Sequence, residues 1–231
     1  MIFGVSNIGW NLNQNKEYFD LIIENGFSYI ESVPAKVTND VHTQALQSIF
    51  YETNIKSFND TDLCVARIIE LINLSKTKNI ETIVIGSPKM RIGNKSKFLS
   101  ILKEVDQISE SICICIEPNA KQYGGDYYYS IDEIVDDLYL FKNIKTMLDT
   151  GNAMMENENI FDKFEKYSEY INHIHFSAPY NKPITDYGIY KEFIPFISQQ
   201  YKNKITYEFV GSESTAAHIR LFSNNLIKGK R

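Results

Sequence analysis

The chain has 231 residues, of which 43% are hydrophobic and 23% charged, the proportions of an ordinary globular protein. Its formal net charge of −5 argues against a nucleic-acid partner, because proteins that bind nucleic acids normally present a basic face. No apolar run is long enough for a membrane span, and three cysteines form no disulfide framework, so we expect a reduced, cytoplasmic protein without a membrane partner.

Short apolar runs alternate with amphipathic stretches from one end of the chain to the other. Runs rich in β-branched and aromatic residues predict eight buried strands, at Ile2–Ser6, Tyr29–Ser32, Gln44–Ile49, Thr82–Gly86, Ile112–Glu117, Thr146–Asp149, His173–Ser177 and Ile205–Phe209. Helices are predicted between them, at Lys16–Asn25, Thr61–Lys78 and near residues 96–110, 130–140, 160–169, 187–200 and 214–228. The connection between Val33 and Thr43 is too short for a full helix with two loops.

This repeated strand–helix order predicts a parallel sheet, either closed as a barrel or open as a doubly wound sheet. An open sheet of the dinucleotide-binding type carries a Gly-rich turn after an early strand, and Ser6-Asn7-Ile8-Gly9-Trp10 is not such a turn. We therefore predict a (β/α)8 TIM barrel, parallel and eight-stranded, with one reduced helix after the second strand. No linker divides residues 1–231, so we expect a single domain.

Four predicted strands carry a possible metal ligand at their C-terminal end, where the active sites of such barrels lie. These ligands are Glu117, Asp149, His175 and Glu208. A lone acid at a strand end is usually a helix cap, but charged groups at the ends of buried strands need a partner. No lysine or arginine lies in the same strand ends. Three carboxylates and one imidazole predict a divalent metal, Mn²⁺ or Mg²⁺ first, with Zn²⁺ or Co²⁺ as alternatives.

At these residues the chain resembles the xylose isomerase-like TIM barrels, the superfamily of sugar phosphate isomerases and epimerases and of AP endonuclease family 2. Its members share a Glu, Asp, His, Glu metal set on successive strands. The resemblance implies that Glu117 and Glu208 are also the catalytic acid and base. The segments that resemble the superfamily further lie at predicted strand ends, at Ile30–Lys36, Leu46–Ile49, Ile85–Arg91 and Ile116–Asn119.

Two positions depart from the pattern of the ketose epimerases in this superfamily. A histidine usually stands three residues after the ligand Asp, where this chain has Asn152, and an arginine usually follows the ligand His, where Lys182 is the nearest cation. These departures put the contacts to substrate hydroxyls in doubt.

Several residues near the strand ends are candidates for contact with a substrate, each with an ordinary structural role as the alternative. We expect the tryptophan, the histidine, the two amides and the glutamate of this set to contact the sugar ring or its hydroxyls. The two lysines and the arginine would bind a phosphate or carboxylate of the substrate. Glu31 could instead pair with Lys36. The predicted substrate-binding set is Trp10, Glu31, Lys36, Gln47, Lys89, Arg91, Asn152 and His173.

The leading functional hypothesis is a metal-dependent sugar or sugar-phosphate isomerase or epimerase that transfers a proton next to a carbonyl through an enediolate. The alternatives are a non-catalytic barrel that binds a small molecule, and a sugar-acid dehydratase or lyase at the same metal site. Endonuclease IV-like cleavage is disfavoured, because it uses three zinc ions and many histidines and this chain has four histidines. The run Tyr127-Tyr128-Tyr129 could form a lid or a subunit contact, and a homodimer is an expectation.

Overall fold

Eight short strands of mostly buried residues form the centre of the computed structural model, which describes residues 1–211 and 214–230. Each strand pairs in parallel with the next one along the chain, and the first also pairs with the eighth, which closes the barrel. The predicted eight-stranded barrel is therefore confirmed. The strands, β1 to β8, are Ile2–Ser6, Tyr29–Ser32, Thr43–Leu46, Thr82–Ile85, Cys113–Ile116, Ile144–Asp149, Ile171–Phe176 and Lys204–Tyr207.

Helices surround the barrel and connect its strands. Those of the described residues, α1 to α8, are Asn15–Glu24, Thr61–Lys78, Lys95–Ser109, Ile131–Leu138, Thr150–Met155, Ile160–Tyr167, Gly188–Ile197 and Thr215–Phe222. Between β2 and β3 there is only a 3-10 turn at Pro34–Lys36, which confirms the reduced helix at this place. Within the described residues, no helix combines the length and the apolar character needed to cross a bilayer.

Helix α2 has the bounds that its apolar periodicity predicts. Its buried side includes Val65, Ile68 and Ile72, which recur at helical spacing and pack in the layer between the barrel and the helices. Each such side chain stabilises the fold by about 1.5–3 kcal/mol relative to an exposed one. The helix ends at Asn79, whose left-handed backbone (φ 55°) directs its N–H to the Ser75 carbonyl.

Most boundaries shift by one or a few residues from the sequence prediction, and two differences at the C-terminal end of the barrel have a clear local cause. Strand β3 ends at Leu46 rather than Ile49, because Ser48 adopts a left-handed conformation (φ 51°) and its carbonyl accepts a turn hydrogen bond from the Tyr51 N–H. Helix α5 was not predicted. It begins directly after β6, where the Asp149 carboxylate caps it by accepting from the Asn152 N–H.

Side chains alternate between the inside and the outside of the barrel, as in any extended strand. In β7, Ile174 and Phe176 pack outward in the apolar layer under the helices, so His173 and His175 point inward. Val84, Cys115 and Met147 form a small apolar cluster of their own. The barrel therefore has an apolar layer around it and carries polar, titratable side chains inside.

The loops after β1 and β8 touch backbone to backbone at Gly9 and Gly211. A Cβ built on either glycine would lie well inside the contact distance of the other's backbone. Both positions therefore require glycine, and the contact holds two loops together at the C-terminal end of the barrel.

We expect Gly9→Ala to lower the free energy of unfolding by roughly 1–3 kcal/mol, the usual cost of overpacking, because the added methyl group would clash with the Gly211 backbone. Urea unfolding followed by circular dichroism measures this loss. Gly188→Ala is the matched control, because its Cβ would meet only the flexible Asp186 side chain, at 3.3 Å. Equal stability of the two variants would contradict the close contact.

Candidate metal centre and substrate cleft

The C-terminal ends of four consecutive strands bring the predicted ligands together. Glu117 and Glu208 each follow the last residue of their strand, β5 and β8, while Asp149 ends β6 and His175 lies near the end of β7. One potential ligand atom from each residue lies within 4.8 Å of the others. The structure thus assembles from sequence-distant residues a cluster that could hold a metal ion, and we call these four residues the ligand cluster.

The imidazole of His175 faces the three carboxylates of the ligand cluster through its Nδ1 atom. Nδ1 lies 3.1 Å from Glu208 Oε2, 3.6 Å from Asp149 Oδ2 and 3.7 Å from Glu117 Oε1. His175, Asp149 and Glu208 are buried, and Glu117 is partly exposed. The four side chains therefore converge on one small space at the barrel end.

Three of the converging atoms have no hydrogen-bond partner among the described residues: Asp149 Oδ2, His175 Nδ1 and Glu208 Oε2. A buried acceptor without a partner costs about 1–3 kcal/mol, and more when it is charged. No described ion pair joins a carboxylate of the ligand cluster to a lysine or arginine. A divalent cation fits this donor set, since it would satisfy all three atoms and balance the negative charge.

Asp149 divides its two oxygens between the protein and the cluster. Oδ1 accepts hydrogen bonds from the Asn152 backbone N–H (2.7 Å) and from Ser177 Oγ (2.8 Å), while Oδ2 remains free. The same carboxylate caps α5, so the helix start and the Ser177 hydroxyl fix its orientation.

Glu31 lies on the far side of His175 from the ligand cluster, completely buried. Both of its oxygens lie 3.1 Å from His175 Nε2, and Oε2 lies 2.8 Å from His173 Nε2. An ionised carboxylate only accepts, so both imidazoles donate from Nε2. In neutral His175 the lone pair therefore sits on Nδ1 and points at the ligand cluster. Glu31 and His173 thus bond to each other inside the barrel, and their contact with substrate hydroxyls stays a prediction.

The pKa directions follow from this arrangement. Burial opposes the charged form of Glu31, but His175 and His173 outweigh it and hold its pKa well below the ordinary value. Burial raises the pKa of Glu208. The nearby His175 opposes this shift and the neighbouring carboxylates add to it, so the pKa lies above its ordinary value. Burial would lower the pKa of His175, but Glu31 and Glu208 raise it well above the usual range. The site has an excess of negative charge that a cation would balance.

A cleft of about 530 Å³, the main cleft, opens at the C-terminal end of the barrel. Glu117 and Glu208 line it, whereas Asp149 and His175 do not. Gly86, after β4, leaves room for the Glu117 carboxylate, because a Cβ there would meet Glu117 Oε2. The main cleft thus gives a small molecule access to one side of the ligand cluster.

Three of the predicted substrate-binding residues line the main cleft: Gln47, Lys89 and Asn152. Gln47 Nε2 donates a hydrogen bond to Ser6 Oγ. Asn152 Oδ1 accepts from the Ala120 N–H at 3.0 Å, which orients its amide. Lys89 is exposed at the rim.

Lys36 and Arg91 do not line the main cleft, and both side chains donate hydrogen bonds to backbone carbonyls. Lys36 Nζ donates to the carbonyls of Trp10 (2.7 Å) and Asn7 (3.0 Å). The buried Arg91 donates from Nη2 to the carbonyls of Ile85 (2.9 Å) and Glu117 (3.0 Å). These contacts correct the expectation that the two cations bind a substrate anion, since each stabilises a loop around the site instead.

Trp10 is also held by the protein. Its indole Nε1 donates to Asn15 Oδ1 at 2.8 Å, and its ring packs against Tyr18 with the centroids 5.0 Å apart. It is 5% exposed and lies outside the main cleft. Stacking of Trp10 on a sugar at the ligand cluster is therefore not supported by its position.

Tyr123 was missed by the sequence analysis. It lines the main cleft with Asn181, and burial together with the charges of Asp149, Glu208 and Glu117 raises its pKa to about 12. Its phenol group therefore stays protonated, as a hydrogen-bond donor near the ligand cluster. In the run Tyr127-Tyr128-Tyr129, the first two rings are packed inside the protein, with Tyr127 7% and Tyr128 0% exposed. These two rings therefore form neither a lid nor a subunit contact.

Comparison with known proteins shows likeness in structure but not in sequence. No protein-family model and no curated protein sequence matches the chain. AP endonuclease family 2 from Brucella melitensis aligns with a TM-score of 0.77 and 12% identity, over 96% of this chain and 98% of its own. The 3-keto-D-glucoside 4-epimerase YcjR from E. coli aligns with a TM-score of 0.76 and 14% identity, over 95% and 96%. A D-tagatose 3-epimerase-like protein aligns with a TM-score of 0.74 and 19% identity, over 97% of each chain.

These neighbours match the closed parallel barrel along nearly its whole length. The chain therefore has the fold of the xylose isomerase-like TIM barrels.

Proposed function

We propose that this chain, as one domain, is a divalent-metal-dependent isomerase or epimerase of a sugar or sugar derivative. The observation that carries the proposal is the convergence of three buried, unpartnered ligand atoms, on Asp149, His175 and Glu208, at one point. The fold neighbours support it, since their names include a 3-keto-D-glucoside 4-epimerase and a D-tagatose 3-epimerase-like protein.

Glu117, Asp149, His175 and Glu208 would hold the cation. Three oxygen donors and one nitrogen donor suit Mn²⁺ or Mg²⁺, with Zn²⁺ and Co²⁺ as alternatives. When bound, the cation would polarise a substrate carbonyl and stabilise the negative charge that develops on its oxygen. Such stabilisation acidifies the neighbouring C–H group, which a carboxylate can then deprotonate.

Glu117 and Glu208 are the proposed acid and base, because they are the two cluster residues that line the main cleft. One carboxylate accepts the proton from the carbon next to the carbonyl, and the other returns a proton. Return to the opposite face of that carbon gives an epimer, and return to the adjacent carbon gives an isomer. Asp149 and His175 lie behind them and orient the site.

Amide and phenol groups around the main cleft suit a hydroxylated substrate. Asn119, Asn152 and Asn181 line it together with Gln47 and Tyr123, and amides both donate and accept hydrogen bonds. Lys89 at the rim could pair with an anionic group of a phosphorylated substrate. These groups would align the reacting carbon with the two carboxylates.

We expect the purified chain to bind about one divalent ion, with Asp149→Asn weakening Mn²⁺ binding by roughly tenfold or more, because the free Oδ2 loses its charge. Isothermal titration calorimetry of the metal-free protein measures this. Asp136→Asn, at an exposed acid on α4, is the matched control. Equal affinity of the two variants for Mn²⁺ would show that the cluster is not the metal site.

A second prediction concerns Glu31, which does not touch the ligand cluster directly. Glu31→Gln should weaken Mn²⁺ binding by about 10- to 100-fold, because the neutral amide holds the two imidazole N–H groups more weakly than a carboxylate does and puts an NH2 group in place of one oxygen, so it no longer sets the His175 tautomer. The measurement is again calorimetric, with exposed Glu70→Gln as control. An unchanged Mn²⁺ affinity would assign Glu31 to core packing alone.

A third prediction concerns proton transfer. In D₂O, the Mn²⁺-loaded protein should introduce deuterium next to the carbonyl of a ketose from a panel of free and phosphorylated sugars, detected by mass spectrometry. Glu117→Gln and Glu208→Gln at saturating Mn²⁺ should each slow this exchange by about 10²- to 10⁴-fold. A product lighter than its substrate by one water would identify a dehydratase instead, and tight Mn²⁺ binding without exchange on any sugar would favour a binding barrel.

A further inference from the structure

A second cavity, the side cavity, adjoins the main cleft. It measures about 630 Å³, and Ile8, Tyr51 and Glu52 line both spaces. Because the same three side chains border both, the side cavity is the adjacent space into which a ligand at Glu117 and Glu208 would extend past Tyr51.

Aromatic and amide side chains form much of the side cavity's wall. Trp10 and Tyr18 pack against each other there, and Tyr51 is 60% exposed at the boundary with the main cleft. The Trp10 N–H is already bonded to Asn15 and the indole is 5% exposed, so Tyr18 and Tyr51 present most of the accessible aromatic surface. Asn11 and Gln14 add amide groups. Aromatic faces beside amides match a sugar ring, which has apolar C–H faces and hydroxyls at its edge.

The charges around the side cavity disfavour an anion. Among its described lining residues, Lys36 is the only cation, and its ammonium group already donates to the carbonyls of Asn7, Ile8 and Trp10. Glu52 places a carboxylate on the wall. A phosphate would meet this negative charge without a free cation to pair with, whereas hydroxyls can donate to the carboxylate.

We propose that the side cavity binds an uncharged second sugar unit, so that the substrate is a glycoside or disaccharide with its reacting unit at the ligand cluster. This inference rests on the proposed function, because the first unit is placed by that site. It narrows the substrate class from sugars in general to glycosylated ones.

The test compares D-fructose with three disaccharides that keep its ketone and add one glucose unit: turanose, maltulose and isomaltulose. Binding to the Mg²⁺-loaded protein is measured by ligand-observed NMR. We expect at least one disaccharide to bind about tenfold more tightly than D-fructose. Tyr18→Ala and, separately, Asn11→Ala should each remove most of that gain and change D-fructose binding by less than about twofold.

Tyr139→Ala is the control, because Tyr139 is 81% exposed after α4 and lines neither cavity. Asn11→Ala changes an exposed loop residue, so the test stands even if Tyr18→Ala fails to fold. Equal binding of D-fructose and all three disaccharides, or a gain that both variants leave intact, would overturn the side-cavity inference alone. Binding of no sugar in the panel would contradict the proposed function as well.

Discussion

The crowding of three carboxylates against one imidazole at the buried end of the barrel is the constraint on which the rest of the site depends. Glu117, Asp149 and Glu208 lie around His175 Nδ1 at 3.1–3.7 Å, and no described lysine or arginine pairs with them. Such a cluster is unfavourable in a folded protein unless a cation balances it. The parallel barrel makes the crowding possible, because it brings the C-terminal ends of its strands to one place.

The surrounding polar groups keep this cluster in one arrangement. Ser177 and the Asn152 N–H take one oxygen of Asp149 and leave the other free. Glu31 takes the opposite nitrogen of His175 and leaves Nδ1 free. Asp149 and His175 thus each have one atom bonded to the protein and one directed at the shared point, the pattern of outer groups that orient metal ligands.

The main cleft and the side cavity differ in the side chains that line them. Carboxylates and amides line the main cleft, while the aromatic rings of Trp10 and Tyr18 lie in the wall of the adjoining side cavity. The loops between them are held by Lys36, whose ammonium group bonds to three carbonyls, and by the Gly9–Gly211 contact. These contacts join the loops that border the two spaces.

Strand order, the reduced helix after β2 and the residues of the ligand cluster followed from the sequence, because apolar periodicity and the residue at a strand end are local properties. The roles of Lys36, Arg91 and Glu31 did not follow from it. Whether a buried charge meets a carbonyl, an imidazole or a ligand depends on which polar groups the packed loops leave unpaired. Tyr123 and the side cavity likewise became visible only in the structure. The sequence by itself determined the barrel and the donors at its strand ends, whereas tertiary packing decided which polar groups face the cleft and which hold its walls, since hydrogen-bond partners in loops come from residues far apart in the chain.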